Sequence, residues 1–220
     1  MNKHTAALAA LLAGAALSVT SLAHCAGTPA ADNAALTAGM QNYLAQHGDF
    51  CLGKFDWPIN VSADDVRLHS NNAVQMPVLE KLGLVKAIDE TATRDTETGP
   101  QRIAVRQYAL TEAGRKYYLH KEMASATSSG DKRVHHGDFC AGHLSLDKVV
   151  AWDEPKSVGD HTETTVTYTY HMAAAEWTKA PEAQRVFPMV ARIISGDGSQ
   201  QLRQRMRSTP QGWVALGMWE

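Results

Sequence analysis

The sequence lacks the short motifs by which many enzymes are recognised. It contains no Gly-x-Ser-x-Gly, no His-Glu-x-x-His and no glycine-rich phosphate loop, the patterns that position a serine nucleophile, a zinc ion or a nucleotide phosphate. Paired carboxylates at a spacing typical of glycoside hydrolysis are also missing. The motifs therefore assign no reaction, and we expect a non-enzymatic protein that carries no cofactor.

An excess of charge of either sign is missing as well. The 21 Lys and Arg residues are balanced by 23 Asp and Glu residues, for a formal net charge of −2. Phosphate contacts dominate nucleic-acid affinity and require clustered basic residues. The overall charge therefore argues against a nucleic-acid partner.

Long hydrophobic runs are absent beyond the first residues of the chain. There, Lys3 precedes an uncharged, Ala/Leu-rich run over residues 6–19, which is shorter than the roughly 20 apolar residues of a transmembrane helix. A charged start, a short apolar middle and small residues after it are typical of a secretory signal peptide. We predict a leader over residues 1–25, export to the periplasm, and membrane attachment only through this end.

The end of the leader allows three outcomes. Residues 22–25 read Leu-Ala-His-Cys and resemble a lipoprotein signal, with His24 where such signals place Gly, Ala or Ser. The resemblance implies lipidation of Cys25 and an anchor in the outer membrane. Cleavage after Ala23 or after Cys25 also fits the small-residue rule, and either would release the protein into the periplasm.

Cysteine is scarce, and its placement is informative. Besides Cys25 the chain has Cys51 and Cys140, and each ends an identical segment, HGDFC, at residues 47–51 and 136–140. A pair of cysteines in an oxidising compartment is usually a disulfide. If the two segments lie about an approximate two-fold axis, their matching cysteines approach each other, so we predict a Cys51–Cys140 disulfide.

Two other roles for the HGDFC segments stay open. The set His47, Cys51, His136 and Cys140 has the ligand types of a zinc or copper site, which makes a periplasmic metal-binding protein the alternative function. A cysteine nucleophile with a histidine base is a third possibility, and it requires a free thiol of low pKa.

The repeated segment predicts two related lobes. In each half HGDFC is followed by a helical pattern, a strand-like run and a Thr-x-x-Gly segment. The helical patterns predict a helix around residues 74–82 in the first half and a helix over residues 181–194, with Pro188 inside it, in the second. Residues 124–131 have the Ser/Ala/Gly/Thr composition of a linker. We predict an α+β fold with a first lobe at 26–123, a linker at 124–132 and a second lobe at 133–220, joined by the inter-lobe disulfide.

One stretch of the first lobe has a familiar pattern. Residues 79–85 read LEKLGLV, and after a loop residues 108–115 read YALTEAGR. Residues 76–118 thereby resemble winged-helix regulators, in which such a helix precedes a β-wing and a further helix. The resemblance implies a winged-helix-like shape and DNA binding. The leader, the net charge and the single basic residue, Lys81, of the would-be reading helix oppose the DNA-binding role.

A row of arginines is the first candidate binding site. Arg203, Arg205 and Arg207 alternate along a predicted strand and so share one face. Guanidinium groups bind carboxylates and phosphates in a bidentate manner. We expect a binding or accessory module whose partner is an envelope protein or an anionic envelope component.

Overall fold

A computed structural model describes residues 30–96, 99–126 and 132–217. The predicted leader with Cys25 lies outside the described residues, as do residues 127–131 of the predicted linker. The helices are α1 (Asn33–His47), α2 (Ala63–Arg67), α3 (Asn71–Lys81), α4 (Glu112–Arg115), α5 (Pro181–Val186) and α6 (Pro188–Ser195). Within the described ranges, no helix is long and apolar enough to cross a membrane.

The strands form three antiparallel groups. They are β1 (Asp49–Cys51), β2 (Ile59–Ser62), β3 (Val85–Thr96), β4 (Gly99–Leu110), β5 (Tyr118–Leu119), β6 (Met123–Ala126), β7 (Lys132–His135), β8 (Asp138–Trp152), β9 (Lys156–Val158), β10 (His161–Ala174), β11 (Leu202–Thr209) and β12 (Gly212–Ala215). The main sheet has the order β1-β8-β10-β11-β12, with β5 also paired to β8 and β9 to β10. A smaller sheet has the order β2-β4-β3, and β6 pairs with β7. The protein is a sheet-rich, mixed α/β structure.

Helix α1 covers one face of the main sheet. The Asp32 side chain caps its first turn by accepting the Ala35 N–H. Its buried apolar side chains recur at helical spacing and pack on β8, β10, β11 and β12, and they are Leu36, Met40 and Leu44. Gly39 permits this packing, because a Cβ there would lie 2.3 Å from the Trp213 carbonyl oxygen.

The predicted helix around residues 74–82 is present as α3. The Ser70 hydroxyl caps its start, and Gly83, with φ of 74°, follows its end, as expected for a left-handed stop. The single helix predicted over residues 181–194 is instead two helices, α5 and α6. Pro188 separates them, because proline has no N–H to donate to the preceding turn, and Phe187 leaves the helical region with ψ of 65°.

Two hydrophobic cores draw on both halves of the chain. One lies between α1 and the main sheet, and the other joins β2, α3 and the start of β3 to Phe139, Trp177 and Phe187. In addition, β1 and β5 from the first half pair with β8 from the second. The two halves of the chain therefore share their hydrophobic cores. The lobe boundary at residues 124–132 stays a prediction.

The two HGDFC segments meet where β1 pairs with β8. Cys51 lies opposite Cys140 in the ladder and forms the disulfide, which confirms the predicted bond. Next to it, the Leu52 N–H donates to the Phe139 carbonyl over 2.9 Å. The covalent bond thus holds residues 89 positions apart in one continuous sheet.

The matching aspartates of the two segments have different surroundings. Asp138 is 3% exposed and accepts the N–H groups of Gly53 at 2.9 Å, Lys54 at 2.6 Å and Phe139 at 2.7 Å. Burial raises the pKa of the Asp138 carboxyl, and the three N–H groups oppose that rise. Burial also lowers the pKa of Lys54, against the nearby charge of Asp138. Asp138 is therefore a structural acceptor that joins two loops.

We expect Asp138→Asn to lower the free energy of unfolding by about 1–3 kcal/mol, because an amide nitrogen cannot accept the N–H that faces it. The matched control is Asp49→Asn at the equivalent position, where the side chain is 31% exposed and pairs with His143. That change should cost less than about 1 kcal/mol. Urea denaturation of both variants measures the difference, and equal losses would contradict the structural role of Asp138.

Candidate functional site

The arginine row lies on the exposed face of β11. Arg203, Arg205 and Arg207 are all exposed, whereas Met206 and Ser208 point inward and are buried. The adjacent strand places Thr167 and Thr165 opposite Arg203 and Arg205, and Glu163 opposite Arg207. The row therefore faces solvent from the side of the sheet opposite α1.

Two of the three arginines have carboxylate partners. The Arg203 guanidinium lies 2.7 Å from Asp153, and that of Arg205 lies 2.8 Å from Glu163. Arg207 makes no ion pair with any residue of the described ranges. The Arg203–Asp153 pair is exposed, and such pairs contribute only about 0–1 kcal/mol. The Glu163 carboxylate is 17% exposed and is held by His161 as well as by Arg205.

His161 extends the row into a charged network. Its ring nitrogens lie 3.0 Å from Asp160 and 2.9 Å from Glu163. The hydrogen bond with Glu163, and then that with Asp160, raises the pKa of His161. The same hydrogen bonds lower the pKa of both carboxyls, and Arg205 adds to this effect at Glu163. Glu163 thus shares its charge between His161 and Arg205.

The HGDFC side chains proposed as metal ligands do not converge. His47 is exposed and lies against the ring of Tyr43, while the 82% exposed side chain of His136 lies 3.7 Å from Glu122. Both cysteines are in the disulfide and offer no thiolate to a metal or to a nucleophilic reaction. Among the residues that the structure describes, no group of three or more His, Cys, Asp or Glu side chains is arranged to hold a metal ion.

Sequence reasoning missed the acidic partners of the arginine row. Asp153 and Glu163 lie 50 and 42 residues from the arginines they contact, and the folded arrangement of β8, β10 and β11 brings them together: Asp153 directly follows β8, and Glu163 lies on β10. The signal available in the sequence is the alternation of the two strands, which predicts cross-strand neighbours once the pairing is known. In the first half, Arg106 likewise contacts two acids, Glu80 at 3.0 Å and Asp89 at 3.5 Å.

Comparison of the chain with protein-family models, curated proteins and solved structures finds no match. The function is therefore argued from the chain's own residues. Among the features anticipated from the sequence, the arginine row is exposed on one face of β11, and guanidinium groups can bind carboxylates and phosphates.

The hydrogen bonds of His161 to Glu163 and Asp160 should be detectable as a raised pKa of the His161 imidazole. Because its pKa is raised, the contribution of His161 to stability is present at pH values below the ordinary histidine pKa and is lost as the pH rises through the native pKa. Replacing Glu163 with Gln should lower the pKa of His161 by removing its first partner. NMR titration of the imidazole resonances measures this change.

The control is Asp197→Asn, which removes a 2.9 Å partner of His171 and should leave His161 unchanged while lowering the pKa of His171. An unchanged His161 titration in Glu163→Gln would show that the network does not exist in solution.

Proposed function

We propose that this chain is an exported envelope protein that acts as a non-enzymatic binding module, with Arg203, Arg205 and Arg207 contacting an anionic partner. The observation that carries the proposal is the exposure of three guanidinium groups on one face of one strand. The partner is an acidic surface of an envelope protein or an anionic envelope component.

The geometry of the row favours binding over a purely structural role. The arginines point away from both hydrophobic cores, and the side chains of Arg203 and Arg205 remain exposed in their ion pairs. Side chains on a β-strand face are spaced two residues apart, about 7 Å, which suits repeated anionic groups. Replacement of the Asp153 and Glu163 carboxylates by partner carboxylates or phosphates conserves the number of charge-assisted contacts.

Export and lipidation belong to the same proposal. The leader at residues 1–25 directs the chain to the periplasm, and Cys25, when lipidated, anchors it in the outer membrane. The Cys51–Cys140 disulfide supports this location, because structural disulfides persist in oxidising compartments and are rare in the cytosol.

We further propose that the two halves are related lobes. The support is reciprocal contact between the HGDFC segments, in which each aspartate contacts the basic residue three positions after the other segment's cysteine. Asp138 accepts the Lys54 N–H, and Asp49 lies 2.9 Å from the His143 ring. The two contacts match in sequence position, although Asp138 binds the backbone of Lys54 and Asp49 binds the side chain of His143. Matching positions are the expected result of two similar segments facing each other.

The stretch at residues 76–118 has, we propose, a winged-helix-like shape without DNA binding. The helix that would enter DNA is α3, and its Lys81 pairs with Glu182 at 3.0 Å. Gln75 of the same helix donates to the Val186 carbonyl at 3.1 Å, so α3 is in contact with α5. In this proposal, the winged-helix-like stretch packs α3 against α5 and has no role in DNA binding.

Intact mass spectrometry of protein purified from the envelope tests export. We expect a mass that lacks the leader, and two cysteines that are alkylated only after reduction. The same spectrum separates cleavage after Ala23, cleavage after Cys25 and a lipid on Cys25. A mass of the whole 220-residue chain would contradict removal of the leader.

Replacing Arg203, Arg205 and Arg207 together with Ser tests the binding site. Each basic residue near an anionic surface contributes about 1 kcal/mol, so the affinity for vesicles containing phosphatidylglycerol should fall roughly a hundredfold. Vesicles of phosphatidylcholine alone give the baseline for the membrane measurement. Immobilised polyglutamate is the second anionic probe and represents an acidic protein partner. Co-sedimentation and surface plasmon resonance provide the two measurements.

The matched control removes the same charge elsewhere, with Arg102, Arg115 and Arg185 each changed to Ser. These residues are exposed and lie on β4, α4 and α5, so binding should persist. Equal losses in the two triple variants would show that net charge alone governs binding, and unchanged affinity in the first would remove the arginine row from the site.

A further inference from the structure

A cleft of about 380 Å³ opens beside the disulfide, on a part of the surface that contains none of β11. Cys140, Gly142 and His143 of β8 form one wall, and Tyr117 and Tyr118 form part of another. Pockets that bind small molecules have volumes of roughly 300–1,000 Å³ and mostly apolar walls. The size of this cleft suits a ligand rather than a few water molecules.

The tyrosine wall of the cleft, Tyr117 and Tyr118, is fixed by contacts with neighbouring residues. The Tyr118 hydroxyl donates to the Phe55 carbonyl over 2.6 Å, and the Tyr117 ring meets buried Phe139 edge to face at 6.2 Å. Leu119 and Ala173 complete the apolar surface. Because these side chains are already fixed, little side-chain entropy is lost when a ligand packs on them.

The ionisable side chains that line the cleft include one lysine and one carboxylate. Lys116 lines the cleft and makes no ion pair with the described part of the chain, and His120 lies near it. The only carboxylate among the described residues of the lining is Asp49, and this group is already shared between the His143 ring at 2.9 Å and the Lys121 ammonium at 3.6 Å. The charge left without a partner is therefore positive and belongs to Lys116.

We propose that this cleft binds a small organic carboxylate, with its hydrocarbon body on the tyrosine wall and its charge at Lys116. An anion gains the unpaired ammonium of Lys116, whereas a cation would have to compete with His143 and Lys121 for Asp49. A neutral ligand gains the apolar contacts only. The site is separate from the arginine row and does not depend on the function proposed for it.

The test is an NMR titration of the folded, disulfide-bonded chain with phenylacetate and with phenylacetamide, which has the same shape without the charge. We expect saturable shifts of amide resonances around Tyr118, Gly142 and Ala173. Phenylacetamide should bind about tenfold more weakly, because it lacks one charge-assisted contact.

Two variants locate the site. Lys116→Gln should abolish the difference between the two compounds while leaving the affinity for phenylacetamide unchanged. Its control is Lys148→Gln, an exposed lysine on β8 outside the cleft, which should retain the difference. Ala173→Phe fills the cleft from an exposed position on β10 and should prevent the binding of both compounds.

Three results would each overturn the proposal: absence of saturable shifts with either compound, equal affinity for both compounds, or shifts centred on β11. Unchanged phenylacetate binding by the Arg203/Arg205/Arg207 triple variant is expected, and it separates the fate of this site from that of the arginine row.

Discussion

The pairing of β1 with β8 is the constraint on which the rest of the structure depends. Strand β1 is only three residues long, which is the lower end of the usual range for strands in globular proteins. The Cys51–Cys140 disulfide at its last residue and the buried Asp138 carboxylate, which accepts the N–H groups of Gly53 and Lys54, fix the end of β1 on β8. Because α1 directly precedes β1 and β2 follows it, this short junction positions both the helix that covers the main sheet and the entry to the smaller sheet.

The junction also shows how one motif supports two different physical roles. At Asp138, burial penalises the charge and three backbone N–H groups compensate for it. At Asp49, solvent remains close, and the partners are the side chains of His143 and Lys121. The difference arises from the path of the opposite strand, since residues 53 and 54 turn back over Asp138 whereas β8 continues past Asp49. The buried Asp138 stabilises the fold, and the more exposed Asp49 lines the cleft.

Features governed by local chemistry could be predicted from the sequence, and those set by tertiary packing could not. The disulfide followed from two cysteines in matching segments, α3 from its apolar pattern with Gly83 beyond its end, and the alternation of β11 from its own residues. Nothing local indicated that Leu36 and Met40 of α1 pack on strands more than a hundred residues away. The break at Pro188 has a local cause, but proline alone does not predict it, since Pro77 lies inside α3. The acids beside Arg203 and Arg205 depended on strand register, which a single strand does not encode.

Local charge, more than the near-zero net charge, governs what this surface can bind. Debye screening at physiological salt limits electrostatic attraction to about 8 Å, so a ligand at Lys116 or on β11 responds to its immediate neighbours. Around β11 those neighbours are carboxylates that pair with the arginines and reduce the attraction for stray anions. For the binding role that we propose, a partner would have to offer several anionic groups at the spacing of the strand in order to replace Asp153 and Glu163 together and also engage Arg207. Under that proposal, the acidic residues that lower the charge of the row would increase its selectivity.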